Sequence, residues 1–384
     1  MLKLGGRGVR PLSPASAGSF VGRITEDADR PPGDRGREIL LAKQRHDVLP
    51  AGFRAYLVTQ PAASYPQGDV YALGAAFDYL GEGDVVRIDP GGHAIAALYR
   101  RHSPHNSFLV TERCDNYCVM CSQPPKERDD SWLVDELEQV IPLASPETKE
   151  IGFTGGEPSL LGPRLVSLVE RMRVYLPHTA VHILSNGRGF KDAALAQALA
   201  AVRHPDLMVG IPLYSDVSNE HDFVVQARGA FDETIRGILN LKHHGVRVEL
   251  RFVIHEATYR ALPTFAEFVA RNLLFVDHVA LMGLEQMGFA RANLGAIWID
   301  PLDYQRELGL AVDTLARAGL EVSIYNHQLC VLSPSLHSFA RASISDWKNV
   351  YLDECDTCAA RQTCGGFFAS STERRSRGIA PIGR

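Results

Sequence analysis

From residue 107 onward, short runs rich in apolar and β-branched residues alternate with longer stretches in which apolar positions recur every three or four residues. The short runs fall at 107–112, 150–154, 180–185, 207–213, 246–254 and 278–283, and their lengths predict strands. The longer stretches, near 131–144, 160–176, 190–202, 230–244, 259–274 and 302–318, predict helices with one apolar face. Six strand–helix units in succession predict an α/β fold with a parallel sheet, because a strand must cross back through a helix before its successor can pair in the same direction. Folds of this build collect their reactive groups in the loops that follow the strands.

The chain before this repeat reads differently. Segments 53–58, 85–88 and 93–99 have strand character, and Asp89-Pro90-Gly91-Gly92 between the last two is a hairpin signal. A small β-rich unit is expected over 38–105. It is either a scaffold cap or, since a free strand edge accepts an extended chain, a surface for capturing a peptide. Residues 1–37 are rich in Gly, Pro and Arg without either periodicity and are expected to form a disordered lead-in. Residues 371–384, with Arg374, Arg375 and Arg377, read as a basic, flexible tail.

Composition narrows the function classes. The 384 residues are 45% hydrophobic and 22% charged, which is globular composition and room for a barrel-sized core with appendages. A net charge of -5 argues against a nucleic-acid partner. The most apolar long window, 262–284, is broken by Glu267, Arg271 and Asp277, so no membrane span is expected. Lys3, Arg7 and Arg10 are followed by Gly, Pro and Ser rather than by an apolar core, which is not the pattern of a secretory leader. A cytoplasmic location is expected, where thiols stay reduced.

In that setting the seven cysteines point to metal rather than to disulfides. Three of them form Cys114-x3-Cys118-x2-Cys121 directly after the first strand of the repeat. A cubane iron–sulfur cluster normally takes four cysteines, so a dedicated set of three leaves one iron open to a small molecule. A zinc site completed by His102 or His105 is the competing reading. Thr154-Gly155-Gly156-Glu157-Pro158 follows the second strand, 34 positions after Cys121, so the two loops should share a rim. Ser185-Asn186-Gly187 and Tyr214-Ser215-Asp216 follow the third and fourth strands and offer hydroxyl and amide groups, although both are also ordinary turn chemistry. Arg251 lies within the fifth strand, where an inward guanidinium requires an anionic partner, and His255 and Glu256 end that strand as candidate substrate contacts. Cys355-x2-Cys358-x5-Cys364, before Gly365-Gly366, supplies three further ligands, and Cys330 could supply a fourth. Four thiolates suit either a fully ligated [4Fe-4S] cluster or structural zinc.

The cysteine triplet and the Gly155-Gly156-Glu157-Pro158 turn resemble the motifs of the radical S-adenosylmethionine (SAM) superfamily. The resemblance implies a partial (β/α)6 barrel over 106–318 whose triplet is catalytic and holds a [4Fe-4S] cluster with SAM on its open iron. It further implies that Gly155, Gly156, Glu157 and Pro158 hold the ammonium end of SAM, with Ser185, Asn186, Ser215 and Arg251 as further cofactor contacts. Met120 stands where the superfamily usually has an aromatic residue, and it would pack on adenine without stacking. The second cysteine group resembles the SPASM and twitch extensions of this superfamily, which implies an auxiliary cluster within 319–370.

Stretches such as 210–216, 281–291, 344–349 and 364–368 are similar to the His-Xaa-Ser system maturases of the HxsC type. That likeness implies a ribosomally made precursor peptide with His-Xaa-Ser repeats as substrate, a second radical SAM maturase nearby, and a flavodoxin or ferredoxin as reductant. Two other readings compete: the same cofactors acting on a small metabolite or a tRNA base, and a zinc-stabilised binding module without catalysis.

Overall fold

A computed structural model of the chain describes residues 5–13, 18–44, 48–60, 64–342, 349–371 and 374–383. Its contacts divide it into two compact units, Met1–Phe108 with Ser131–Ile151 and Glu170–Thr179, and Leu109–Asp130 with Gly152–Val169 and Ala180–Arg384.

The first unit is built on β1 (Gly5–Arg7), β2 (Val9–Pro11), β3 (Phe20–Thr25), β4 (Glu38–Ala42), β5 (Ala55–Val58), β6 (Asp69–Leu73), β7 (Val85–Asp89) and β8 (Ala94–Tyr99), with the short α1 (Pro32–Arg35). The strands lie in the order β1-β8-β7-β3-β4-β5-β6-β2. Only Gly8 separates β1 from β2, so the run 5–11 pairs with β8 through its first half and with β6 through its second, and the sheet closes on itself. Gly8 makes the crossing possible with φ +142°. Alternate residues explain why β4 is buried throughout: Ile39 and Leu41 join Ile24, Leu57, Val86 and Ile88 in one core, while Leu40 and Ala42 join Tyr56, Val58 and Val70 in another.

One expectation needs correction here. Residues 5–35 of the supposed lead-in hold three strands and a helix, because the closed sheet supplies pairing partners that a local pattern does not reveal; residues 1–4 and 14–17 lie outside the described residues. The run 5–11 covers Ala94–Ala96 of β8 and Tyr71–Leu73 of β6, part of the strand edge on which peptide capture would depend. The hairpin signal is matched by antiparallel pairing of β7 and β8.

The larger sheet runs β9 (Asn106–Thr111), β10 (Glu150–Gly155), β11 (Ala180–Leu184), β12 (Leu207–Pro212), β13 (Arg247–Ile254), β14 (His278–Gly283) and β15 (Val322–Tyr325), in sequence order. Strands β11 to β15 pair in parallel. Between the strands run α2 (Trp132–Val140), α3 (Pro163–Tyr175), α4 (Ala193–Ala201), α5 (Ser218–Val225), α6 (Ala230–His243), α7 (Leu262–Asn272), α8 (Phe289–Ala292), α9 (Leu294–Ile297) and α10 (Gln305–Arg317). Helix α6 shows why they form: Ala230, Thr234, Gly237, Ile238 and Leu241 are buried at three- and four-residue intervals. All six expected strands are present within two residues of the expected bounds. A seventh, β15, extends the sheet into the region expected to be wholly extension; at four residues it is too short to announce itself. Beyond it come β16 (Asn349–Val350) and β17 (Phe367–Phe368), paired antiparallel. Among the described residues no helix is long and apolar enough to cross a membrane.

Candidate active site

The cysteine loop leaves β9 and is held from behind by main-chain bonds. Tyr117 and Val119 N–H donate to the carbonyls of Val225 and Val224 at the end of α5, both at 3.0 Å. Phe289 N–H donates to the Cys121 carbonyl at 2.8 Å, and Asn293 Nδ2 to the Val119 carbonyl at 2.7 Å. Arg188 spans the loop's start: its Nη1 donates to the Asp115 carbonyl and to Asn116 Oδ1, both at 2.7 Å, while Nε meets Glu233 at 2.7 Å. Sequence reasoning missed Arg188. Its signal was a guanidinium directly after the Asn186-Gly187 turn, on the rim where the loop must be fixed.

The three thiols are partly exposed. Burial pushes the Cys114 thiol up to about 12, with Glu157, Asp115 and Cys121 adding to the rise, and burial likewise raises Cys118 and Cys121. Cys121 adds to the rise at Cys114, and both Cys114 and Cys121 add to that at Cys118. Such a set becomes thiolate only when a cation compensates, which is what a metal–sulfur core provides.

The Gly155–Pro158 turn is stitched to the root of this loop. Gly156 N–H donates to the Thr111 carbonyl at 2.8 Å and Glu157 N–H to the Arg113 carbonyl at 2.7 Å. A Cβ at Gly156 would sit 1.9 Å from the Arg113 oxygen, so glycine is required for the approach of the two chains. Glu157 is fully buried and its carboxylate is occupied: Oε1 accepts from Ser159 N–H at 2.8 Å and Ser185 Oγ at 2.6 Å, and Oε2 from Asn186 N–H at 2.5 Å. Burial raises its proton affinity and these donors oppose the rise. Glu157 thus joins the second loop to the third.

The remaining expected contacts divide. Asn186 reaches the cysteine loop, with Nδ2 2.6 Å from Asp115 Oδ1. Ser215 bonds Glu220 at 2.6 Å and accepts from Val217 N–H, which is turn chemistry at the start of α5. Met120 is buried among Tyr214, Val224, Val225 and Ile297. Arg251 points to the same face of β13 as Glu249, which is the anion it requires, at 2.9 Å; its Nη2 lies 3.3 Å from Met282 Sδ. Burial would raise the Glu249 carboxyl, but the His278 ring at 2.7 Å and Arg251 hold it at about 2. His255 is fully buried, its ring lowered to about 4 by burial, and Glu256 pairs with Arg260 at the surface.

Far along the chain, Cys330, Cys355, Cys358 and Cys364 line one pocket. Main-chain N–H groups face its sulfurs: Leu329 and Gly366 donate to Cys364, both at 3.5 Å, and Ile382 donates to Cys358 at 3.3 Å. Tyr351 Oη fixes the Cys364 carbonyl at 2.7 Å. Cys330, the uncertain fourth member, is among the four. The expected flexible tail is corrected here, because 374–383 is bonded along its length: Ser376 and Arg377 engage Asp300, and Ile379 to Ile382 line the cavity.

Among the described residues no group of three or more His, Cys, Asp or Glu converges on a point that could hold one metal ion. A cubane makes no such demand, since each cysteine binds a different iron. All-thiol donor sets with N–H groups aimed at sulfur suit iron–sulfur ligation.

Residues 108–269 match the sequence profile of the Radical SAM superfamily, whose members hold a [4Fe-4S] cluster and SAM. The GTP 3',8-cyclase of Streptomyces coelicolor is 32% identical over 121 residues, 29% of this chain and 34% of that protein. The Fe-coproporphyrin III synthase of Methanosarcina barkeri is 28% identical over 171 residues, 42% of this chain and 39% of that protein. The chain thus spans between a third and two fifths of the curated relatives it matches. Among solved structures, Streptococcus suis SuiB bound to S-adenosylmethionine aligns with a TM-score of 0.47 at 16% identity, over 58% of this chain and 51% of that one. The anSMEcpe structure with bound AdoMet and Cp18Cys peptide gives 0.44 at 17%, over 57% and 62%. Over residues 108–269, from β9 to most of α7, the chain is thus similar to the radical SAM superfamily.

Proposed function

We propose that the chain is a radical SAM enzyme with a partial (β/α)6 barrel, in which Cys114, Cys118 and Cys121 hold a [4Fe-4S] cluster that leaves one iron for SAM. When bound, the cluster and SAM supply one-electron cleavage of a carbon–sulfur bond and a 5'-deoxyadenosyl radical that abstracts hydrogen. The chain's own residues hold that chemistry in place. Arg188 and the α5 end fix the cysteine loop. Glu157, through Ser159, Ser185 and Asn186, fixes the Gly155-Gly156 turn against it. Cys330, Cys355, Cys358 and Cys364 hold an auxiliary [4Fe-4S] cluster. The observation that carries the reading is three partly buried thiols within eight residues, on a loop bonded through its root to that turn.

The substrate in this reading is a ribosomally made peptide with His-Xaa-Ser repeats, as the likeness to the HxsC-type maturases supports. A small-molecule substrate is the second reading, favoured by the curated relatives, whose names refer to GTP and to a coproporphyrin. Anaerobic reconstitution with iron and sulfide, followed by SAM and a reductant, is expected to yield 5'-deoxyadenosine. Co-expression with a His-Xaa-Ser peptide is expected to change the peptide's mass. No iron uptake and a colourless zinc protein would sink the first claim, and an unaltered peptide mass the second.

A further inference from the structure

We propose that residues 374–382 form a strap that positions a main-chain donor over the four-cysteine site and so sets the reduction potential and solvent protection of whatever iron–sulfur core that site holds. The inference rests on reading Cys330, Cys355, Cys358 and Cys364 as iron–sulfur ligands. It adds to that reading a role for residues outside any cysteine motif.

Three observations carry it. The strap is anchored at two points on the segment after β14. The Gln286 amide donates to the Arg374 carbonyl at 2.6 Å and accepts from Arg374 N–H at 3.1 Å. The buried Asp300 carboxylate accepts from Ser376 Oγ at 2.5 Å and Arg377 N–H at 2.9 Å. Past these anchors, Ile379, Ala380, Pro381 and Ile382 line the cavity as an apolar wall. The strap then gives up a donor to sulfur, Ile382 N–H to Cys358 at 3.3 Å, while the Ile382 carbonyl is held by Ala359 N–H at 3.0 Å and Ala380 lines the same pocket as Cys330.

The physical consequence follows from charge. Reduction adds negative charge to the sulfurs, and N–H dipoles aimed at them stabilise the reduced form, raising the potential. An apolar wall keeps water and oxidants from the same atoms. Among the anchors Asp300 matters most. The Arg377–Asp303 pair is exposed on both sides and adds little, whereas Asp300 is buried and bonds main chain as well as side chain.

The test uses the full-length holoprotein and two variants. Ile382→Pro deletes the N–H that faces Cys358 and keeps the carbonyl that Ala359 uses. Ser376→Ala combined with Gln286→Ala loosens both anchors without touching the cavity. In redox titrations followed by electron paramagnetic resonance, Ile382→Pro is expected to lower the midpoint of the second cluster and leave that of the triplet's cluster unchanged. In metal-free protein the anchor variant is expected to alkylate several-fold faster than wild type at Cys330 and Cys358, mapped by mass spectrometry. If Ile382→Pro cannot retain the second cluster, the anchor variant is titrated in its place, with the same downward shift expected. Wild type with both clusters and variants matching it in midpoint and alkylation overturns the strap alone. Wild type with iron for the triplet only overturns the parent reading and the strap with it.

Discussion

The triplet takes its three cysteines from eight consecutive residues at the end of one strand, whereas the four-cysteine cavity is assembled from 330, 355–364 and 379–382, pieces that meet only in the folded chain. The first is held because its own loop is bonded to α5, α8 and the Gly156 turn. The second is closed over by a distant segment. One site is braced by bonds to its own loop, and the other is lined in part by a segment distant in sequence. The contrast teaches that a cysteine set close in sequence can be fixed by its own loop, whereas a dispersed set depends on the fold to bring its members together.

The strongest way to break this contrast is to remove the triplet. Cys114→Ala, Cys118→Ala and Cys121→Ala together are expected to abolish 5'-deoxyadenosine formation, a loss of at least about a hundredfold, while the second site keeps its iron. Loss of iron from both would show that the sites are not independent. Cys358→Ala is expected to remove about four irons per chain, those of one cubane, and to leave the triplet's spectrum intact. Iron analysis beside electron paramagnetic resonance decides it.

Smaller changes sharpen the bracing argument. Gly156→Ala places a methyl against the Arg113 carbonyl and is expected to cost about 3 kcal/mol in chemical denaturation, with poor cluster loading as its companion. Ser185→Ala takes one of three donors from the buried Glu157 carboxylate and is expected to cost about 1–2 kcal/mol, with the triplet's cluster still loading. Equal stability in either variant would mean that the turn does not brace the loop.

Much of the repeat from 107 to 318 was legible because each element carries its own period: the buried positions of α6 or α10 recur at helical spacing whatever surrounds them. The triplet and the 355–364 group stood out for a related reason, since their spacing is local, whereas Cys330 joins the latter only in the folded chain. What remained hidden depended on partners far along the chain. Strands β1 and β2 are three residues each and exist only because β8 and β6 flank them. Arg374 and Arg377 read as solvated charges, yet it is mainly their main-chain groups that Gln286 and Asp300 hold. The roles of Glu157 and Ser185 were half visible: the turn residues were found, but not that they bond each other before any ligand arrives.

Closure of the first sheet through Gly8 also bears on how the protein must be handled. Proteolytic trimming or a deletion that removes 5–11 would bare the outer flanks of β8 and β6 at once, two unsatisfied ladders on one molecule. Such a nicked protein would polymerise edge to edge, so clumping after limited digestion would report loss of that single seven-residue seam.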